Sequence, residues 1–122
     1  MTLATSGKEG PQCCNLFYAY SKEENCFIVA SDKSTEHIEN ILQDPTIAAS
    51  IVLETRTVGK IRGLQIKGTI TKADDKGARG AYFHAFPYAR AMRPMLWRII
   101  VKSMKLTDNR LGFGKKLIWN YS

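Results

Sequence analysis

The middle of the chain reads Ile47-Ala48-Ala49-Ser50-Ile51-Val52-Leu53, a nearly unbroken apolar run that follows Pro45. An apolar run that does not alternate with polar residues is typical of a strand covered on both faces. We therefore predict that residues 46–53 form a strand, buried on both sides, at the centre of a barrel.

Strand-like segments lie on both sides of this run, separated by stretches rich in turn-forming residues such as Ser6–Pro11. Between Ser34 and Gln43 the apolar residues instead recur three and four apart, which predicts a short helix with Ser34 as its N-cap, and Ala78–Phe86 has helical composition. Short strands interrupted by two short helices favour a Greek-key barrel over a parallel sheet. The predicted strands are Met1–Thr5, Gln12–Ser21, Cys26–Ser31, 46–53, Arg62–Lys72, Leu96–Leu106 and Lys116–Tyr121.

Length and composition indicate one domain over residues 1–122, because 122 residues with 44% hydrophobic content suffice for a single core. No apolar run approaches the about 20 residues of a membrane-spanning helix, so we expect a soluble protein. Cys13 and Cys14 are adjacent in a predicted strand and point to opposite faces, and the total of three cysteines is odd, which excludes a disulfide framework. No metal-ligand spacing and no signal peptide are present, which favours the reducing cytoplasm.

The net charge of +7 raises the question of an anionic partner. The basic residues are dispersed along the chain, no run of five like charges occurs, and no aromatic and basic RNA-binding signature is present. We therefore expect a small anionic ligand on a basic surface and no specific nucleic acid. A nucleic-acid-binding barrel remains the third hypothesis, to be recognised by an affinity that falls steeply with salt.

Several motifs resemble the pyridoxamine 5'-phosphate oxidase-like family: Met-Thr-Leu-Ala-Thr-x-Gly-x-x-Gly-Pro at residues 1–11, Ser-Asp-Lys-Ser-Thr at 31–35, and Asp-Pro before the central run. Ile61–Gly68 and Asp108–Trp119 are similar to its bacterial YhbP-like subfamily. The resemblance covers most of the chain. It implies a mainly β, six- to seven-stranded Greek-key split barrel with two or three short helices, and a homodimer that holds FMN between its subunits.

The resemblance places the FMN phosphate near the start of the first helix, where Lys33, Ser34 and Thr35 lie. Free backbone N–H groups, two hydroxyls and an ammonium suit a phosphate dianion. An ordinary N-cap beside a solvated lysine is the alternative reading. Relatives carry a basic pair where this chain has Glu36-His37, so Lys33, His37 or Arg62 must supply positive charge, although His37 equally suits a helix surface.

The resemblance also brings Arg62 toward the phosphate and Gln65 toward the polar edge of the flavin. Both are alternatively sheet-face residues in water. Trp119 and Phe113 are candidates for shielding the flavin ring from the partner subunit, or else for the core. Members of the family place a helix before the first strand, so we also expect that this chain lacks a natural N-terminal helix.

The resulting hypothesis is an FMN-dependent oxidoreductase of unknown substrate. It is not a vitamin B6 oxidase, because Asp108-Asn109-Arg110-Leu111 lacks the Arg-x-His pair of those enzymes. The alternative is a haem- or flavin-binding protein without turnover, with His84 as the first axial-ligand candidate.

Overall fold

The computed structural model describes residues 1–121, in which eight strands form one antiparallel sheet accompanied by two α-helices. Short 3₁₀ turns occupy Val58–Lys60, Pro87–Met92 and Asn109–Leu111. The helices are α1 (Glu36–Gln43) and α2 (Lys76–Ala85), and the strands are β1 (Thr2–Gly7), β2 (Gly10–Asn15), β3 (Tyr18–Ser21), β4 (Cys26–Ala30), β5 (Thr46–Val52), β6 (Arg62–Lys72), β7 (Leu96–Asp108) and β8 (Lys116–Asn120).

The strand order is β2-β1-β5-β6-β7-β4-β3, and β8 pairs with the free part of β7. The two outermost strands, β2 and β3, are consecutive in the chain, so the sheet must curl until its edges approach each other. The thirteen-residue β7 makes this possible, because β6 follows one of its edges while β4 and β8 share the other. The expected mainly β barrel with short helices is confirmed.

Two local predictions were wrong. Gln12–Ser21 is not one strand, because the ladder with β1 ends at Asn15 and pairing with β4 begins at Tyr18, so the sheet has eight strands rather than six or seven. The N-cap of α1 is Thr35 rather than Ser34, because the Ser34 N–H donates to the Asp32 carboxylate (2.9 Å) in the preceding turn.

The central strand β5 is buried on one face only. Ile47 and Ala49 lie inside the barrel, whereas Ala48, Ser50 and Val52 are exposed on its outer face. The prediction of burial on both sides is therefore wrong for the single chain, because one curled sheet covers only its concave face.

The barrel interior holds the main core, which includes Leu3, Ile38, Ile66 and Ile99 and reaches onto α1. A second cluster lies under α2 and includes Ile28, Tyr82 and Phe83. Among residues 1–121, no helix is long and apolar enough to cross a membrane.

The pairing of β6 with β7 shifts register between Lys67 and Gly68. At that point a side chain on Gly68 would collide with the Ile100 carbonyl oxygen, so the close approach of the two backbones requires glycine. The bulge bends the long β7, which lets one strand serve two partners along one edge.

Candidate functional site

The segment Ser31–Thr35 leads from β4 into α1 and is anchored by hydrogen bonds to the start of β7. The Ser31 N–H donates to the Met95 carbonyl (3.0 Å), and the indole Nε1 of buried Trp97 donates to the Ser31 carbonyl (2.9 Å). The Thr35 hydroxyl donates to the Asp32 carbonyl (2.8 Å) and closes a turn. The core thus positions the segment that the sequence analysis assigns to the phosphate.

Helix α1 begins without a side-chain cap. Thr35 occupies the N-cap position in an extended conformation, but its side chain makes no capping hydrogen bond to the helix. The N–H groups of the first turn therefore point outward beside exposed Lys33 and Ser34. This arrangement can accept an anion through backbone N–H groups, hydroxyls and one ammonium.

Two acidic residues flank this position, and only one of them is directed away from it. The Glu36 carboxylate accepts a hydrogen bond from Gln12 Nε2 (2.9 Å), which holds it toward β2. The Asp32 carboxylate accepts from the Ser34 backbone N–H, and this bond lowers the pKa of Asp32. Asp32 remains the negative charge closest in sequence to Lys33, and it reduces the net charge of the segment.

His37 is buried under the start of α1, with 8% of its surface exposed. Its Nε2 shares hydrogen bonds with the hydroxyls of Ser31 (2.5 Å) and Thr35 (3.2 Å). Burial lowers the pKa of His37, so the ring is neutral at neutral pH. The sequence offered Lys33, His37 and Arg62 as sources of positive charge. His37 instead orients two hydroxyls and does not supply a positive charge at neutral pH.

The remaining predicted residues lie in other environments. Arg62 lines a cleft that contains none of residues 33–35. Gln65 is exposed and lies three residues along β6 from Arg62, so the two side chains point to opposite faces of the sheet. Gln65 shares a shallow outer hollow of about 190 Å³ with residues such as Lys105 and Ile118.

Trp119 is 38% exposed and pairs with Met104 across the β7–β8 ladder. Met104 in turn lies opposite Ile66, so Trp119 is on the face of the barrel interior rather than on that of Gln65. Within one chain, then, Lys33, Ser34, Thr35 and His37 are brought together. Arg62, Gln65 and Trp119 occupy three further positions.

A set of apolar side chains around β8, on the turn before it and at the end of β5 is exposed in the single chain. All five residues of β8 are exposed, and Phe113 is 87% exposed. A strand exposed on both faces gains little from burial in its own chain, and a group of exposed large apolar residues is typical of an interaction site. Its other members are Val52, Leu111, Leu117, Ile118 and Tyr121.

His84 lies on the exposed side of α2 and lines an open hollow of about 570 Å³. The charged residues Lys22, Glu23 and Glu24 line the same hollow, together with apolar surface from Tyr20 and Ala81. The aromatic residues nearby form a packing cluster, because Tyr82 and Phe83 are buried and Tyr82 contacts Phe86 with ring centroids 5.0 Å apart.

The sequence analysis missed two residues that shape the segment, Ser31 and Trp97. Ser31 directly follows the apolar run of β4 and lies just before α1. This position was the only local indication that its hydroxyl could contact the helix. Trp97 is 66 positions away along the chain, so nothing in its own neighbourhood indicated the hydrogen bond.

Comparison with known proteins identifies close sequence relatives, although no family model matches the chain. UPF0306 protein plu4501 of Photorhabdus laumondii is 34% identical over 122 residues, which cover 98% of this chain and 85% of the relative. UPF0306 protein YhbP of Shigella boydii is 36% identical over 110 residues, covering 88% of this chain and 75% of the relative.

Solved structures share the fold at low sequence identity. A haem-binding protein from Mycobacterium smegmatis superposes with a TM-score of 0.78 at 18% identity, over 98% of this chain and 51% of that one. An FAD-binding protein from Mesorhizobium loti gives 0.68 at 17% identity, over 86% and 80%. A Clostridium acetobutylicum protein of the pyridoxinephosphate oxidase family gives 0.66 at 16% identity, over 98% and 83%. The fold is therefore the split barrel of that group.

Proposed function

We propose that this chain, which belongs to the UPF0306 family, binds FMN between two copies of itself and acts as a cytoplasmic oxidoreductase. One observation carries the proposal: the uncapped start of α1 lies beside Lys33 and the hydroxyls of Ser34 and Thr35. The haem-binding and FAD-binding proteins of the same fold support a cofactor on this scaffold. The three free cysteines are consistent with a reducing compartment.

The phosphate of FMN matches this position in charge and geometry. Unpaired N–H groups at a helix start favour a dianion, and Lys33 adds a mobile ammonium. Because His37 is neutral and Asp32 is close, the site has less positive charge than the basic pair of related proteins would supply. We therefore expect FMN to bind, but to be lost more readily on purification than from a site with two further cations.

The second subunit would complete the site. The exposed faces of β5 and β8 offer small and apolar residues, and Gln65 lies on that outer face where its amide can hydrogen-bond a flavin edge. Trp119 faces away from Gln65 within one chain, so Trp119 and Phe113 would shield the ring from the other subunit of the dimer. FMN supplies the hydride or electron chemistry when bound, and the chain's own residues bind, orient and shield it.

The phosphate assignment is tested by titrating the purified protein with FMN and with riboflavin. FMN should bind more tightly, and Lys33→Ala should weaken FMN by about tenfold to a hundredfold, the loss of one charge-assisted hydrogen bond of about 1.5–3 kcal/mol. Lys22→Ala is the matched control, since it removes the same charge from an exposed turn between β3 and β4. Equal curves for FMN and riboflavin would contradict the assignment.

The homodimer is tested by light scattering at micromolar concentration. We expect twice the mass of one chain, and Ile118→Glu on the outer face of β8 should shift the protein toward the monomer by burying a charge in the interface. Tyr88→Glu, which replaces an apolar residue that is 79% exposed beside α2, should leave the dimer intact. A monomeric mass for the flavin-bound wild-type protein would refute this part.

Haem binding is the second candidate function, because His84 is exposed and available as a ligand. Two carboxylates beside it, those of Glu23 and Glu24, disfavour an apolar macrocycle that carries carboxylates of its own. Addition of haemin distinguishes the two: a Soret band that is lost in His84→Ala would favour haem, whereas no change in the haemin spectrum would favour the flavin.

A further inference from the structure

A separate cleft of about 390 Å³ opens at the end of the barrel where β6 begins and β7 ends. Arg62 and Asp108, which pair directly across these two strands, both line it. Its other walls are largely apolar and come from β3, β5, β6 and β7. They include Tyr18, Ile51, Leu53, Leu64 and Leu106.

The carboxylate of this cleft is already paired. Asp108 is 4% exposed and accepts two hydrogen bonds from the Arg110 guanidinium, Nη2 to Oδ2 at 2.7 Å and Nε to Oδ1 at 3.0 Å. The Arg110 backbone N–H donates to the same carboxylate (3.0 Å). Hydrogen bonds from Arg110 hold the pKa of Asp108 below its usual range, and the nearby charge of Arg62 adds to this effect. Asp108 therefore stays ionised, and its hydrogen bonds go to Arg110.

Among the described residues, no carboxylate forms hydrogen bonds with Arg62 in this way. Its Nε is inaccessible to solvent and, within residues 1–121, makes no hydrogen bond. The Arg62 side chain is on the same face of β6 as those of Leu64 and Ile66, so its guanidinium is directed along the barrel interior toward the cleft. Buried donors are nearly always paired in folded proteins, so a buried guanidinium N–H without an acceptor indicates a missing one.

We propose that this cleft binds the carboxylate of a small organic acid with an apolar body, with Arg62 as the anchor. The guanidiniums of Arg62 and Arg110 and the carboxylate of Asp108 together carry a net charge of +1. A ligand with one carboxylate would neutralise this charge, whereas a phosphate dianion would leave an excess of negative charge. The planar fork of arginine matches a carboxylate in two parallel hydrogen bonds, and the apolar walls accept the remainder of the ligand. The cleft volume lies within the range of small-molecule sites.

The proposal rests on the cleft alone and does not depend on flavin binding at α1. Arg62 was expected near the FMN phosphate, and its place in a cleft without residues 33–35 assigns it to a different anion. A carboxylate held here would make organic acids the ligand class of the protein, whether or not they are its substrates.

The test uses phenylacetate as the probe and phenylethanol as its uncharged counterpart. In ¹H–¹⁵N correlation spectra of the wild-type protein, the arginine Nε–H signal that disappears in Arg62→Lys should shift saturably with phenylacetate and not with phenylethanol. Because this readout uses the folded wild-type protein, it does not depend on the stability of a variant. Absence of a shift at millimolar phenylacetate overturns the proposal, as does an equal response to inorganic phosphate.

Three variants examine the charge argument. Arg62→Met should weaken phenylacetate at least tenfold, whereas Arg56→Met, which removes an exposed cation from the preceding loop, should not. Arg110→Met should also weaken binding, because Asp108 would lose its partner and compete for Arg62. If Arg110→Met strengthens binding or leaves it unchanged, Asp108 does not govern the availability of Arg62 and the proposal fails.

Discussion

Replacing Trp97 with phenylalanine tests whether the core positions the phosphate-binding segment. Trp97 is 2% exposed, packs in the main core, and donates its indole N–H to the Ser31 carbonyl at 2.9 Å. Phenylalanine keeps an aromatic ring in place but removes the donor and part of the buried surface. The carbonyl that remains is next to the start of α1.

Two losses set the expected magnitude. A part-buried acceptor without its donor costs about 1 kcal/mol, toward the lower end of the range for unpaired groups. The smaller ring loses a further 1–2 kcal/mol or so of buried apolar contact and leaves a small void. A total of about 2–3 kcal/mol should lower the melting temperature by roughly 6–15 °C for a domain of this size.

Urea denaturation followed by circular dichroism measures this difference directly. Trp119→Phe is the matched control, because the chain has only two tryptophans and the indole of Trp119 is 38% exposed and makes no side-chain hydrogen bond within residues 1–121. In a dimer, the effect of Trp119→Phe should grow on dilution, whereas that of Trp97→Phe should not. A loss below about 0.5 kcal/mol for Trp97→Phe at every concentration would refute the reasoning, because one lost hydrogen bond alone costs more.

Two further predictions concern single residues. Burial lowers the pKa of His37 below its usual 6.5, so the unfolded chain binds the proton more tightly than the folded one. Thermal stability should therefore fall as the pH drops below about 6.5. His37→Gln should remove this loss of stability, whereas the control His84→Gln, at an exposed position, should retain it. A pH profile unchanged by His37→Gln would argue against a buried neutral ring. Gly68→Ala should lower the free energy of unfolding by about 1–3 kcal/mol, because the added methyl group would collide with the Ile100 carbonyl. The control Gly59→Ala, whose methyl group would meet open space, should change it by less than about 0.5 kcal/mol. Equal effects of the two variants would show that the bulge tolerates a side chain.

Local pattern was sufficient for most elements of this protein. The i, i+3, i+4 spacing before Pro45 located α1 to within two residues, and the period-two alternation after Arg62 located β6, because both patterns reflect which side chains one element presents to one neighbour. The interruption between β2 and β3 at Leu16 and Phe17 could not be predicted for the same reason. The residues before and after it alternate in the same way, and only the partner strand changes, from β1 to β4.

The place of each predicted site residue depended on contacts between distant parts of the chain. That Arg62 and Gln65 point to opposite faces follows from their spacing, but which face is the interior is decided by how the sheet curls. His37 became a neutral, buried positioning residue because its ring packs beneath Ser31 and Thr35. Within residues 1–121, the Arg62 Nε makes no hydrogen bond, whereas Arg110 holds the Asp108 carboxylate. Sequence determined the strands, the first helix and the kind of chemistry available, since these depend on neighbouring residues. Only the tertiary structure decided which charges are paired, buried or free, because burial and pairing arise where segments remote in sequence meet.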